Sequence, residues 1–346
     1  MTRNPRLLDE RITLKYGTGG GAMRALIEQV FAKDLGDVGD DGIGLAAMDD
    51  GAAIRVGDRY LVIATDSHVV QPIEFPGGDI GRLAVSGTIN DLAMMGATEP
   101  LALTCAVIIE DGFSRDTLIR IWSSIRATCA EAGTTIVTGD TKVMGHGELD
   151  GLVLNTTGVG FTKRLVSDAG LRPGDKILVT GTMGDHGLAI MATRNELALE
   201  TRLESDVAPL HTLVRRVLEV GREGVTALKD PTRGGLSSAL HEMAGKSEVG
   251  IIIDETSVPL RDEVRAVGEL LGIDPLVSAN EGKAVIGLRP GVADAVLDAV
   301  RAHPLGRNAA IIGECVVERP GFVVLDTGFG SRLLAEPEGE LLPRIC

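Results

Sequence analysis

Apolar residues recur along the chain at two spacings. Short segments rich in apolar and β-branched residues predict strands over 60–65, 101–109, 134–138, 152–160, 176–180, 251–253 and 284–288. Two more are predicted near Ile311 and Phe322. Spacing of three and four residues predicts helices. Met23, Leu26, Ile27, Val30 and Phe31 mark one; Leu83, Val85, Ile89, Leu92 and Met95 mark another over 81–95. An amphipathic helix runs to Ala132 behind the cap residue Ser114. Further helices are predicted over 185–193, 209–223, 235–244, 261–271 and 292–302. Arg172-Pro-Gly-Asp175 is turn chemistry and marks a domain boundary. Both halves mix strands and helices without the regular alternation of a doubly wound sheet, so the expected class is α/β with an α+β arrangement in two domains. Residues 1–21 read as an irregular arm, and the last segment, with two prolines, as an extended tail.

Composition narrows the partners. In 346 residues, 49 Asp+Glu outweigh 34 Lys+Arg, a net charge of −15. A basic face for nucleic acid or an anionic membrane is not expected. Hydrophobic residues make up 44% of the chain, which excludes global disorder. No stretch approaches the ~18 apolar residues of a membrane span, and the charged N-terminus does not resemble a signal peptide. A cytoplasmic location is expected. The four cysteines contain no CxxC pair, so a zinc knuckle is not indicated.

The candidate chemistry lies in acidic and glycine-rich segments. Asp49-Asp50-Gly51, Thr65-Asp66-Ser67, Asn90-Asp91-Leu92, Gly139-Asp140-Thr141 and Lys229-Asp230-Pro231 read as turns or strand ends. Each Asp could simply cap a turn. Together they would repel unless a divalent cation lay among them, and Mg²⁺ binds through a few carboxylates plus substrate phosphates. Gly17 to Gly21 precedes a helix and could cradle an anion, or be a flexible arm. In Asp230-Pro-Thr-Arg-Gly-Gly-Leu236, Arg233 can fork onto phosphate while Gly234 and Gly235 allow close backbone approach. Gly245-Lys246-Ser247 imitates a P-loop ending, but position 240 is Leu where Gly is required. Lys142 and Glu281 read either as a buried proton-transfer pair or as an ordinary ion pair. His68 and His186 read as structural, or as nucleotide or substrate contacts. Cys346, the last residue, would present an exposed thiol able to act as nucleophile or carrier arm, unless its position is accidental.

Several segments together resemble one family. They are Asp66-Ser-His-Val-Val-Gln-Pro-Ile-Glu-Phe-Pro-Gly-Gly-Asp-Ile-Gly81, Gly87-Thr-Ile-Asn-Asp-Leu-Ala-Met94, Gly139-Asp-Thr-Lys-Val143, Gly184-Asp-His-Gly187, Asp230 to Gly235, Ala279-Asn-Glu-Gly-Lys283 and Pro343-Arg-Ile-Cys346. In content and order they resemble the HypE hydrogenase maturation factors, within a PurM-like superfamily that includes aminoimidazole ribonucleotide synthetase. The resemblance implies an arm over 1–39, an ATP-binding and dimerising domain over 40–165, a second domain over 170–330, and a mobile tail over 331–346. It implies a homodimer using ATP and Mg²⁺. Asp50, Asp66, Asp91 and Asp140 would bind metal and phosphate. Thr141, Lys142, Asp230, Arg233, Gly234 and Gly235 would line the nucleotide site. Lys142 and Glu281 would handle protons beside Cys346. The implied reaction is ATP-dependent dehydration of a carbamoyl group on Cys346 to a thiocyanate, with HypF as carbamoyl donor and HypC–HypD as cyanide acceptor for a NiFe-hydrogenase. Selenophosphate synthetase fits less well, because residues 1–21 lack a cysteine. Thiamine monophosphate kinase has no use for a terminal thiol. A non-enzymatic carrier would not need the Asp set or Arg233.

Overall fold

The computed structural model describes residues 8–17, 19–34, 38–39, 41–197, 203–336, 342 and 344–346. After α1 (Gly20–Leu26), the N-terminal domain runs β1 (Ala52–Val56), β2 (Arg59–His68), the small hairpin β3 (Glu74–Phe75) and β4 (Gly78–Asp79), and α2 (Ile80–Met94). It continues with β5 (Pro100–Glu110), α3 (Arg115–Glu131), β6 (Ile136–Met144) and β7 (Leu152–Thr162). Its sheet has the order β1-β2-β7-β5-β6, antiparallel except for the parallel β5–β6 pair.

The second domain begins with β8 (Lys176–Val179), α4 (Asp185–Arg194), α5 (His211–Gly221), β9 (Val225–Lys229) and α6 (Gly235–Ser247). It continues with β10 (Gly250–Asp254), α7 (Asp262–Leu271), β11 (Val285–Leu288) and α8 (Pro290–Arg301), and ends with β12 (Ala310–Val316), β13 (Val323–Asp326) and β14 (Ser331–Leu333). These strands form a seven-stranded sheet, β14-β13-β10-β12-β8-β11-β9. Since β14 pairs with β13, the sheet reaches residue 333, past the expected start of the tail at 331.

Side-chain caps set the helix starts. Asp79 Oδ1 accepts from the Gly81 and Arg82 amides at 2.8 and 2.9 Å, and Ser114 Oγ accepts from the Thr117 amide at 3.3 Å. Helix α2 is buried almost all round, not on one stripe as its spacing suggests. It packs on β2, β7 and α3, and on α5 and β9 of the second domain. The core around Ile80, Leu83, Ile89 and Leu154 therefore continues into Ile190, Val207 and Ala279 of the second domain and Ile345 of the tail.

The short strands β3, β4 and β14 escape the sequence pattern, and so do two longer ones, β1 and β9. Ala52-Ala-Ile-Arg-Val56 is mostly exposed and lacks a long apolar run, while Val225-Thr-Ala-Leu-Lys229 lies within the expected helix-to-turn passage. The expected strand at 134–138 is the start of β6, which runs to Met144 because it pairs along β5.

Candidate active site

The two domains and the tail enclose a cavity of about 260 Å³. The arm contributes Gly19 and Gly20, and β2 and α2 contribute Asp66 and Asp91. The second domain contributes Asp230, Arg233, Gly235 and Glu281, and the tail contributes Cys346. Asp50 lines the same cavity from the bend before β1. Only Asp50 and Asp230 lie where a turn was expected. Asp66 sits inside β2, because that strand stays paired with β7 through His68, and Asp91 sits inside α2.

The carboxylates sit in an environment that disfavours their charge. Burial pushes Asp50 well above the ordinary carboxyl range; Lys229 opposes the shift and Asp230 adds to it. Burial likewise pushes Asp91 well up, reinforced by Asp230, Asp66 and Asp50. Asp230 rises to about 6, mainly through burial, with Lys229 opposing. Glu281 is pushed well up by burial and by Asp230, Asp66 and Asp206, with Arg233 working against it. Asp50 Oδ2, Asp230 Oδ2 and Glu281 Oε1 are buried without a hydrogen-bond partner. Buried acceptors of this kind fit a cation or a hydrogen-bonding substrate.

Lys229 is the internal counter-ion. Its Nζ lies 2.6 Å from Asp50, 3.3 Å from Asp168 and 3.3 Å from Glu242, while Lys246 reaches Asp168 at 2.7 Å. Burial alone would lower the Lys229 pKa, but these three carboxylates raise it well above the ordinary value. Among the described residues, no three His, Cys, Asp or Glu side chains converge closely enough to hold a metal ion. The expected four-aspartate set is thus not preassembled. Asp50 is engaged by Lys229, Asp66 Oδ2 lies 3.2 Å from His68 Nε2, and Asp140 lies outside the cleft.

The turn after β9 shows why glycine follows Arg233. Gly234 and Gly235 have φ of 78° and 61°. A Cβ on Gly235 would lie 2.5 Å from the Ser278 carbonyl oxygen and 2.8 Å from that of Leu276. That close packing sets the start of α6 against the loop leading to Glu281. The Asn280 amide donates to the Pro231 carbonyl at 3.0 Å. Asn90, on α2, donates to the Glu281 carbonyl at 3.2 Å, and its Oδ1 accepts from the Leu210 amide at 2.7 Å. Gly19 packs on the turn as well, its would-be Cβ 3.0 Å from the Arg233 carbonyl oxygen.

The tail enters this cleft. Ile345 is 4% exposed and Cys346 is partly buried, against the fully exposed thiol expected. Burial raises the Cys346 thiol pKa; Glu281, Asp66 and Asp230 add to the shift and Arg233 opposes it. The other three cysteines are buried.

Two family models cover most of the chain. The AIR synthase related protein N-terminal domain matches residues 48–162, and the corresponding C-terminal domain matches 172–326. Carbamoyl dehydratase HypE of Cupriavidus necator is 48% identical over 340 residues, covering 97% of this chain and 95% of that protein. The chain belongs to the HypE family. A solved HypE–HypF complex contains a chain 42% identical, with a TM-score of 0.83, covering 90% of this chain and all of that one. A HypE solved in complex with ATP is also 42% identical, with a TM-score of 0.80 over 97% of this chain and all of that one.

Three family-matched positions lie elsewhere. Asp140, Thr141 and Lys142 are exposed on β6, the edge strand, and the first two border a different surface groove with Trp122. Lys142 pairs with Asp140 at 3.5 Å and not with Glu281, so the buried Lys142–Glu281 pair is absent within one chain. The reason is topological: β6 pairs on one side only, and all its residues from Val137 to Met144 are exposed. Conversely, Asp49, Asp168, Lys229, Glu242 and Lys246 border or support the cleft without having been singled out as site residues. Lys229 carried a usable signal, a charge ending the apolar segment Val225 to Leu228. Asp168 and Glu242 carried none, because their role depends on which side chains meet. No helix among the described residues is long and apolar enough to cross a membrane.

Proposed function

We propose that the cleft carries out ATP-dependent dehydration of a carbamoyl group on Cys346, giving a thiocyanate whose cyanide goes to hydrogenase maturation. The observation that carries this reading is the meeting of Cys346, Arg233 and Glu281 with a set of acidic side chains in one cavity. An amide oxygen leaves poorly. Transfer of the γ-phosphoryl group of ATP to that oxygen forms an O–P bond, releases ADP and, with loss of one N–H proton, leaves a C=N bond. Removal of the remaining N–H proton then forms C≡N as the C–O bond breaks and phosphate departs.

This chain's residues divide those tasks. Glu281 is the base: its buried carboxyl holds a proton strongly, so its carboxylate is a stronger base than an exposed one. Arg233 forks onto the departing phosphate. Gly234 and Gly235 let backbone approach the phosphates, and Asp230 orders the turn. We assign Mg²⁺ to Asp50, Asp66 and Asp91 together with triphosphate oxygens, supported by the buried Asp50 Oδ2 that has no hydrogen-bond partner. Bound there it would neutralise phosphate charge.

Asp140, Thr141 and Lys142 enter our reading from a second copy. The free edge of β6 exposes Val137 and Val143, and Leu101, Ile119 and Trp122 are exposed on the neighbouring β5 and α3. An unpaired apolar edge supports a homodimer. The inward seat holds Cys346 as a thiol, whereas acceptance of a carbamoyl group needs a thiolate. We therefore place carbamoylation by HypF, and cyanide transfer to HypC–HypD, with the tail swung out, in the cytoplasm. The test is ATP-dependent phosphate release from carbamoylated protein beside the Cys346→Ala variant. Release coupled to Cys346 supports the reading; equal turnover in both overturns it.

A further inference from the structure

We propose that His186 is a positioning residue that seats Cys346 in the cleft by hydrogen-bonding the main chain of the tail. The proposal deepens the dehydratase reading and rests on Cys346 as the bearer of the reacting group. His186 lies in the first turn of α4 and is fully buried. Its Nε2 is 2.5 Å from the Ile345 carbonyl oxygen, and its Nδ1 is 2.7 Å from Ser205 Oγ.

The chemistry of the partners fixes the proton. A carbonyl oxygen can only accept, so Nε2 carries the hydrogen. Burial lowers the imidazole pKa, so the ring is neutral and Nδ1 accepts from the Ser205 hydroxyl. The Val207 amide donates to the same Ser205 oxygen at 3.1 Å, leaving the Ser205 hydrogen for His186. Phe75 packs its ring against the imidazole at 85° and 5.5 Å, which fixes the ring plane.

The contact fits a seat that reads backbone. The Gln71 amide donates to the Arg344 carbonyl at 3.1 Å, and the Arg194 guanidinium donates to that carbonyl too. Two successive tail carbonyls are thus held, immediately before the residue that carries the thiol. Ile345 anchors in the core shared with α2. A Cβ on Gly187 would lie 2.4 Å from Ser278 Oγ and 3.0 Å from the Ala279 amide nitrogen, so the glycine after His186 holds α4 close to the loop before Glu281, with Leu342 Cδ1 of the tail 3.2 Å away. His186 sits at the pivot: its loss leaves the Ile345 carbonyl without its donor in an apolar pocket, a change that favours tail release.

The test uses the full chain with His186→Ala, His186→Asn, His186→Gln and Ser205→Ala. The first readout is iodoacetamide alkylation of Cys346 without ATP, followed by intact mass. It reports seating whether or not the dehydratase reading holds. The second is water loss from the carbamoylated chain in a single turnover with ATP. A Gln amide nitrogen reaches the Nε2 position and an Asn amide does not. We expect alkylation to rise about tenfold in the Ala and Asn variants, consistent with loss of one buried hydrogen bond. The Gln variant stays near wild type and Ser205→Ala is intermediate, with water loss falling in the same order and ATP binding unchanged. Wild-type alkylation in His186→Ala overturns the proposal. So does a Gln variant as defective as Ala, because packing would then explain the effect. If His186→Ala misfolds, Ser205→Ala and His186→Gln decide by the same criteria.

Discussion

The same substitution at two glycines of α6 should have opposite effects. Gly235, at the helix start, has φ of +61°, where a side chain costs about 1–2 kcal/mol. Its new Cβ would also lie 2.5 Å from the Ser278 oxygen and 2.8 Å from the Leu276 oxygen, both backbone atoms. Relieving that overlap requires the loop before Glu281 to move, at a further cost of about 1–3 kcal/mol. Gly235→Ala should therefore destabilise the protein by roughly 2–5 kcal/mol. It should also weaken ATP binding, because the Arg233 turn shifts. Gly245, near the end of the same helix, has no positive φ, and nothing lies within 4 Å of where its methyl group would sit. Gly245→Ala should stabilise by about 0.5–1 kcal/mol, with ATP affinity unchanged. Urea unfolding followed by circular dichroism, with ATP titration on the folded variants, measures both effects. A Gly235→Ala variant within about 1 kcal/mol of wild type would refute the claim that backbone packing sets this turn.

The other predictions address charge and assembly. Glu281→Gln should bind ATP normally yet slow thiocyanate formation by about 10²–10⁴-fold; undiminished water loss in that variant would remove Glu281 as the base. Asp230 holds its proton to about pH 6 when folded, against an ordinary value of 3.8, so it lowers stability as pH rises between those values and at all higher pH. Without nucleotide or divalent ions, Asp230→Asn should match wild type near about pH 4 and exceed it by up to about 3 kcal/mol near neutrality. A pH-independent difference in urea midpoint would contradict that environment. Lys142→Ala and Cys346→Ala should each abolish activity alone, and co-refolded mixtures should recover it, since a mixed dimer pairs an intact Cys346 with the other chain's Lys142. Failure to recover, with mixed dimers present, would place Lys142 in the cleft of its own chain.

Most elements were legible because their apolar spacing is repeated over whole segments, as in Leu101 to Ile109. The Arg233 turn was legible for a local reason, since Pro231 fixes its own φ and two glycines permit the positive φ that the turn needs. What was not legible depends on distant pairing. Asp66, Asp91 and Asp140 all have turn-like neighbours, yet pairing with β7 extends β2 past Asp66 and pairing with β5 carries β6 past Asp140. Asp91 stays helical because α2 is buried almost all round and its apolar residues set the helix. The Lys229 network joins positions 50, 168, 229 and 242, and no local pattern signals that meeting. The seating of Cys346 was also hidden, because His186 recognises a carbonyl that every residue possesses.

The central claim is that Cys346 itself carries the group that is dehydrated. Intact-protein and C-terminal peptide mass spectrometry, on the carbamoylated chain before and after ATP, tests it most directly. The account predicts loss of one water, confined to the peptide ending at Cys346 and matched by one phosphate released. ATP consumption with no mass change at that peptide, or water loss from any other peptide, would contradict it.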